Sequence, residues 1–329
     1  MHGHPAVGIS LPETTTVRLV DLAPGAAWDC GALADEDREV CAALVGRLRA
    51  LMPEMEPLGP CRVLVESEVP RAVGFGSSAA LCAALVRAAR AHGGARGRDP
   101  MAGGPETAAD TTAEWELAHG LEKFFHGTPS GVDTGLALRE GTWAFRPRPP
   151  ALPACERLDG VLPVLVIGAV QRDESCGALV ADLSRRRKAG DESVIRSIDA
   201  LGNLAGAARD ALRLRTGDAA KAAVILAELA ETAMGLLRGL GLSVPALDEL
   251  LEAGKRAGAL GGKLSGAGGG GAFYLVARND GEAGVVARRL AEEAARRGLR
   301  MASPPRVLTG RERGFPRHPP AARPASPPS

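Results

Sequence analysis

Two carboxylates eleven residues apart are the first place where this sequence offers chemistry. They bound the run Glu122-Lys-Phe-Phe-His-Gly-Thr-Pro-Ser-Gly-Val-Asp133, in which a Gly-Thr-Pro-Ser-Gly turn separates the end of a helix from Asp133. Phosphoryl transfer asks little covalent help of a protein. It needs positioning, a cation on the phosphates and a residue that orients the attacking hydroxyl. One carboxylate on Mg²⁺ and a second beside the acceptor hydroxyl would meet that need, with Glu122 and Asp133 as the candidates. The other reading of the same residues is a pair of surface charges flanking a Pro/Gly turn, with Asp133 capping the next element. His126 reads as a loop histidine bonded to nearby backbone rather than as a catalytic group.

Two glycine runs offer the complementary feature, a place for anions. Val69-Pro-Arg-Ala-Val-Gly-Phe-Gly-Ser-Ser-Ala-Ala80 lies between a strand and a helix. Gly74 and Gly76 allow positive φ and close approach of backbone to a ligand. The helix that follows presents unpaired N–H groups and the positive end of its dipole. Ser77 and Ser78 add hydroxyls within reach of a phosphate oxygen or a bound Mg²⁺. Neither the Gly-Lys-Ser/Thr of a Walker A loop nor a GxGxxG dinucleotide fingerprint is spelled out, and an ordinary strand–turn–helix with a serine cap is the alternative. The second run, Lys263-Leu-Ser-Gly-Ala-Gly-Gly-Gly-Gly-Ala-Phe273, joins a helix to a strand. Four successive glycines cost roughly 0.5–1 kcal/mol each relative to Ala in a regular element. Close approach to a ligand accounts for them better than a flexible linker does.

The elements that must hold these runs follow from periodicity. Residues 6–21 alternate and are β-branched, which predicts strands or a hairpin. Helical spacing covers 35–52, and 62–69 alternates as a half-buried strand ended by Pro70. A helix over 79–92 follows the first glycine turn, 93–105 reads as a mobile loop, and 111–125 is a further helix. Asp133 is placed ahead of a strand. The apolar strand 162–170 opens a second domain, with helices over 175–188, 193–216, 218–240 and 244–257. A strand at 272–277 and a helix over 283–297 complete it. Past Ser303 the chain is Pro- and Arg-rich without periodicity and is expected to be disordered.

A chain of 329 residues, 45% hydrophobic, has room for two cores, and with only 3% aromatics they must be packed largely with Ala, Val and Leu. A net charge of +1 gives no reason to expect nucleic acid or an anionic membrane as partner. Cys30, Cys41, Cys61, Cys82, Cys155 and Cys176 form no CxxC pair, and they read as reduced, mostly buried thiols rather than disulfides or a metal site. The start has neither the basic residues nor the apolar run of a signal peptide, and no apolar stretch reaches membrane-spanning length. A cytoplasmic protein is expected.

The string ending Gly74-Phe-Gly-Ser-Ser-Ala79 resembles the phosphate-binding motif of the GHMP kinases, with Phe75 where that family usually carries Leu. The run His126-Gly-x-Pro129-Ser130-Gly131-x-Asp133 resembles the mevalonate kinase signature within that family, including the Glu eleven residues upstream. Lys263 to Gly271 resembles the third GHMP motif, and Val244-Pro-Ala-Leu-Asp-Glu-Leu also reads like mevalonate kinases. The resemblance covers most of residues 3 to 303. It matches only loosely over 171–178, where Ser175 is the best counterpart to a Ser/Thr-rich loop.

What the resemblance implies is an α+β protein of two domains. Residues 1–160 would form an ATP-binding domain like ribosomal S5 domain 2, 161–303 a ferredoxin-like domain, and 304–329 a tail. It implies ATP and Mg²⁺ as cofactors, with Gly74, Gly76, Ser77, Ser78, Ala79, Gly266, Gly268, Gly269 and Gly270 around the phosphates. Ser78 and Glu122 would bind Mg²⁺, Asp133 would be the catalytic aspartate, and mevalonate would be the acceptor. A sugar or similar hydroxylated metabolite as acceptor, or a nucleotide-binding protein without catalysis, are the rival expectations, and a homodimer is left open. The family's first motif, a strand carrying Lys followed by Gly-Glu-His, has no counterpart. Met1-His-Gly-His-Pro-Ala-Val looks like its end, so a domain lacking its first strand, and a longer natural chain, are expected.

Overall fold

The computed structural model describes residues 3–31, 33–52, 59–97, 108–160, 162–172, 176–214 and 218–308. Within them the chain builds two cores. The first gathers Val17, Leu44, Leu48, Val63, Leu85, Trp115, Leu121 and Phe145, and the second Val166, Ile198, Leu247, Leu250, Phe273, Leu275 and Leu290.

The first core is formed by strands β1 (Ala6–Ile9), β2 (Thr15–Asp21), β3 (Cys61–Ser67), β4 (Thr142–Arg148) and β5 (Ala151–Arg157) with helices α1 (Asp35–Leu51), α2 (Ser77–Gly97), α3 (Ala108–His126) and α4 (Val132–Ala137). β1 and β2 do not form a hairpin with each other. β1 pairs antiparallel with β4, and β2 pairs along its whole length with β3. β4 and β5 went unread because Trp-Ala-Phe-Arg-Pro-Arg and Ala-Leu-Pro-Ala-Cys-Glu carry prolines and alanines in place of β-branched residues. α2 continues to Gly97, so the expected mobile loop is helical over 93–97; residues 98–107 lie outside the described ones.

The second core lies on one face of a four-stranded antiparallel sheet of order β7-β8-β6-β9, the layering implied by the ferredoxin-like expectation. Its strands are β6 (Val164–Val170), β7 (Gly261–Leu264), β8 (Gly271–Ala277) and β9 (Met301–Leu308), and its helices α5 (Cys176–Lys188), α6 (Glu192–Ala211), α7 (Ala219–Gly239), α8 (Pro245–Arg256) and α9 (Asp280–Arg296). β6 is buried along nearly its whole length because it is central, and α8 turns Leu247, Leu250 and Leu251 onto the sheet. β9 overturns the expectation of irregular chain past Ser303. Pro304 and Pro305 sit where β9's register against β6 breaks, between Ser303 and Arg306, as prolines in a strand must. The rest of the predicted tail, 309–329, is outside the described residues. On the sheet's other face Leu165, Ile167 and Val276 meet Ile9 and Leu11, and Arg306 pairs with Glu13, joining the two cores.

Candidate active site

The first glycine run sits between β3 and α2, and its backbone is unusual at three alternate positions. Ala72, Gly74 and Gly76 have φ of 60°, 95° and 75°. For Ala72 that conformation costs roughly 1–3 kcal/mol and is kept only where surrounding structure imposes it. Here the imposition is visible. The Ala72 carbonyl accepts from Arg172 Nη1 at 3.2 Å, and the Val73 carbonyl accepts from the Ala272 N–H at 2.7 Å. That second bond ties the first glycine run to the second.

In the second run Gly266, Gly268, Gly269, Gly270 and Gly271 all have φ between 71° and 93°, a series no other residue type sustains. Their neighbours give several of these glycines a packing reason of their own. A Cβ on Gly268 would lie 2.4 Å from the Leu242 carbonyl oxygen, and one on Gly271 2.5 Å from that of Val73. These two glycines are demanded by protein packed against them. Gly269 would meet Leu179 Cδ1 at 2.7 Å, and its N–H donates to the Leu242 carbonyl. A Cβ on Gly266 would lie 3.7 Å from Gly74 Cα, so the two runs nearly touch. A Cβ on Gly76 would meet nothing within 4 Å. The open side of the paired loops is therefore over Gly76 and the start of α2.

Arg172, at the end of β6, was missed by sequence reasoning. Besides the bond to Ala72 its Nε reaches the Gly270 carbonyl at 3.4 Å, so one guanidinium fastens both loops. The only signal was an arginine directly after a buried strand. Ser175, the residue singled out in that segment, lies outside the described ones.

The carboxylate half is built by α3 and α4. α3 runs against α2 so that His126 Nε2 lies 3.3 Å from Ser78 Oγ. One turn deeper, Glu122 acts on the buried Cys82 thiol, which burial and that charge push up. His126 is thus the last residue of α3, facing a side-chain hydroxyl rather than loop backbone. Glu122 is 1% exposed. Burial raises its pKa to about 8, the neighbouring charge of Asp133 adds to that, and a hydrogen bond from Thr134 opposes it. Glu122 Oε2 has no hydrogen-bond partner among the described residues. His119, one turn earlier, has an equally orphaned Nδ1, and burial followed by the Lys123 charge holds its pKa down. No motif pointed to it.

Asp133 lies in the first turn of α4, not ahead of a strand; the strand waits until Thr142. Gly131 turns the chain at φ 78°, and its carbonyl accepts from Trp115 Nε1 at 2.9 Å. Gly135 lets α4 press on Trp115 and Phe145, where a Cβ would come within 2.8 and 2.9 Å. Arg139 covers the other side of Trp115 at 4.2 Å. This anchoring leaves Asp133 exposed to solvent, while the protein around it raises its pKa against the opposing pull of His126.

Lys263 of the third motif is engaged locally. Its Nζ donates to the Leu264 carbonyl at 2.7 Å and lies 5.3 Å from the Tyr274 ring centre, and burial lowers its pKa to about 8.

Comparison with known proteins bears on the family and the fold. The family model for the GHMP kinases N terminal domain matches residues 41–141, and that for GHMP kinases C terminal matches 208–296. The chain is 34% identical over 235 residues to a mevalonate kinase of Aeropyrum pernix, covering 68% of this chain and 63% of that one. It is 30% identical over 247 residues to a mevalonate kinase of Pyrococcus furiosus, covering 73% and 68%. The aligned part therefore spans about two thirds or less of these relatives' length. Among solved structures, L. major mevalonate kinase in complex with R-mevalonate superposes with a TM-score of 0.69 at 21% identity, covering 89% of this chain and 86% of that one. A Streptococcus pneumoniae phosphomevalonate kinase does so with 0.62 at 16%, covering 91% of each, so the fold is common to kinases of different acceptors. The chain belongs to the GHMP kinase family.

Proposed function

We propose that this chain is a kinase that uses ATP and Mg²⁺ to phosphorylate the hydroxyl of mevalonate, giving 5-phosphomevalonate for isoprenoid precursor synthesis. The observation that carries the reading is the convergence of two bonded glycine loops, open over Gly76, with one buried and one solvent-reachable carboxylate. The nucleotide would lie between domains 1–160 and 161–303, the second extended through β9. The N–H groups of residues 74–79 and the α2 dipole hold phosphate oxygens, and the second loop from Gly266 to Gly270 backs them. A buried carboxylate oxygen without a partner among the described residues, one helical turn from the histidine that meets a serine hydroxyl, is a donor set for a hard cation. Glu122 and Ser78 fit Mg²⁺, which when bound would neutralise charge on the phosphates. Asp133 orients the acceptor hydroxyl and takes its proton, a role served by its raised pKa, since a base works best with a pKa near the working pH.

The relatives' names support mevalonate as acceptor, and the cytoplasm as compartment is supported by the thiols. Cys30, Cys41, Cys61 and Cys82 are buried and Cys155 half-buried, all without disulfides. Among the described residues no helix is long and apolar enough to cross a membrane. ADP formation should be measured with ATP, Mg²⁺ and a panel of mevalonate, 5-phosphomevalonate, homoserine and a hexose. Turnover preferring mevalonate is expected. A preference for another acceptor overturns the substrate, and ATP binding without ADP formation overturns catalysis.

A further inference from the structure

The opposite end of α2 carries a second group of ligating side chains, unrelated to the proposed active site. Asp21 ends β2 and Cys61 begins β3, and they are direct cross-strand partners. His92 descends onto them from α2. His92 Nε2 lies 3.0 Å from Asp21 Oδ1, Cys61 Sγ 3.6 Å from His92 Nε2, and Cys61 Sγ 3.8 Å from Asp21 Oδ1. All three atoms lie within 4.8 Å of one another.

Those separations can be compared with a metal's demands. With Zn–S near 2.3 Å and Zn–N and Zn–O near 2.0–2.1 Å, tetrahedral ligands stand about 3.5 Å apart for S···N and S···O and about 3.3 Å for N···O. Each observed distance is within about 0.3 Å of its counterpart. One sulfur, one nitrogen and one oxygen donor exclude the all-oxygen preference of Mg²⁺ and Ca²⁺ and suit Zn²⁺. A thiolate and a carboxylate together balance its charge. Burial is graded from one side to the other: Cys61 is fully buried, while the His92 and Asp21 side chains are 18% and 52% exposed. An ion could enter from the Asp21 side, and a water would complete the fourth position.

The site is not that of the nucleotide's cation. His92 is fifteen residues along α2 from Ser77, about 22 Å at helical rise. It spans β2, β3 and α2, the scaffold on which the first glycine loop is mounted.

We propose that Asp21, Cys61 and His92 form a three-ligand Zn²⁺ site that clamps the C-terminal half of α2 to the β2–β3 pair. The inference does not depend on the proposed substrate. The full chain, stripped with chelator, should be titrated with Co²⁺ as an optical probe and then with Zn²⁺. One equivalent of Co²⁺ should give a thiolate charge-transfer band and the intense visible absorption of four-coordination, both erased by Zn²⁺. His92→Gln, a polar replacement of similar size at a partly exposed position far from the nucleotide loops, should fold and keep its turnover with ATP. It should lose more metal affinity than the roughly 10–100-fold typical of removing an outer supporting residue. Zn²⁺ should raise the melting temperature of the parent and not of His92→Gln or Cys61→Ser. Absence of a thiolate band, or equal Co²⁺ affinity in His92→Gln and Asp21→Asn, would overturn the proposal and leave a hydrogen-bonded triad. Should Cys61→Ser fail to fold, the other two variants decide.

Discussion

In the loop half of the proposed site the proposed phosphate-holding groups are backbone, held by other backbone, Ala272 on Val73 and Gly269 on Leu242, and by the Arg172 side chain across both runs. In the α3–α4 half the proposed working groups are two carboxylates set in opposite surroundings. Glu122 is sealed from water with one oxygen unpartnered among the described residues, and Asp133 reaches solvent. The first half is a rigid cradle whose failure should appear as lost stability or nucleotide affinity. The second holds charge, and its failure should appear in rate and pH dependence. Substitutions in each half can test that division.

The largest effect belongs to Asp133→Asn. The change is isosteric and leaves the Gly131 and Gly135 anchors of α4 untouched, so melting temperature and ATP affinity should hold. Turnover should fall by about 10²–10⁴, the usual cost of losing a positioned base. A variant within a few-fold of the parent would remove Asp133 from the chemistry.

Next is the pH dependence of stability without cation or nucleotide. Glu122 has a folded pKa of about 8 against an ordinary value of 4.5. Between those values the folded state binds a proton that the unfolded state has released. Stability is then fullest below about pH 4.5 and declines as pH rises through about 8. At about 1.4 kcal/mol per unit the loss is of the order of a few kcal/mol. Glu122→Gln should flatten this part of the profile. Mg²⁺ with a nucleotide should restore stability near pH 8 in the parent and not in the variant. A flat parent profile would mean that Glu122 is already ionised and partnered.

These two halves were also unequally legible. The loops were readable because a run of glycines has few uses, and positive φ at Gly74, Gly76, Gly266 and Gly268 to Gly271 bears that out. Their purpose was less readable: Gly268 and Gly271 answer to carbonyls of Leu242 and Val73, residues 26 and 198 positions away, and no local pattern records such contacts. The carboxylates were found, but not that Glu122 would be buried, nor that α4 would replace a strand. Burial of Glu122 comes from α3 packing against α2, and α4 is pressed by Gly135 onto Trp115 and Phe145; both are tertiary events. β9 was lost for a related reason, since Pro304 and Pro305 suppress strand propensity and are admitted only because β6 offers a break in register.

Gly268→Ala should sharpen the loop half of the comparison. The added methyl would meet the Leu242 carbonyl oxygen at 2.4 Å, with φ at 88°. Left-handed strain of about 1–2 kcal/mol and overpacking of about 1–3 kcal/mol give a loss of roughly 2–5 kcal/mol. Denaturant unfolding checks it, and the loss should be there without nucleotide. An unchanged midpoint would show that the second loop is loosely held.

Gly76→Ala is the smallest expected change in stability and the most pointed test of where the cradle opens. Here too φ is positive, at 75°, yet the methyl meets no protein atom within 4 Å. Only the conformational cost remains, about 1–2 kcal/mol. Because Gly76 immediately precedes the first turn of α2, a methyl there stands where a phosphate must approach the N–H groups. Melting should fall by a few degrees while ATP affinity falls about tenfold or more, a ratio reversed from that of Gly268→Ala. Isothermal titration with a non-hydrolysable ATP analogue, beside thermal melts of both variants, measures the two quantities together. If Gly76→Ala binds as tightly as the parent, the phosphates do not lie over the start of α2, and the open side of the loops must be sought elsewhere.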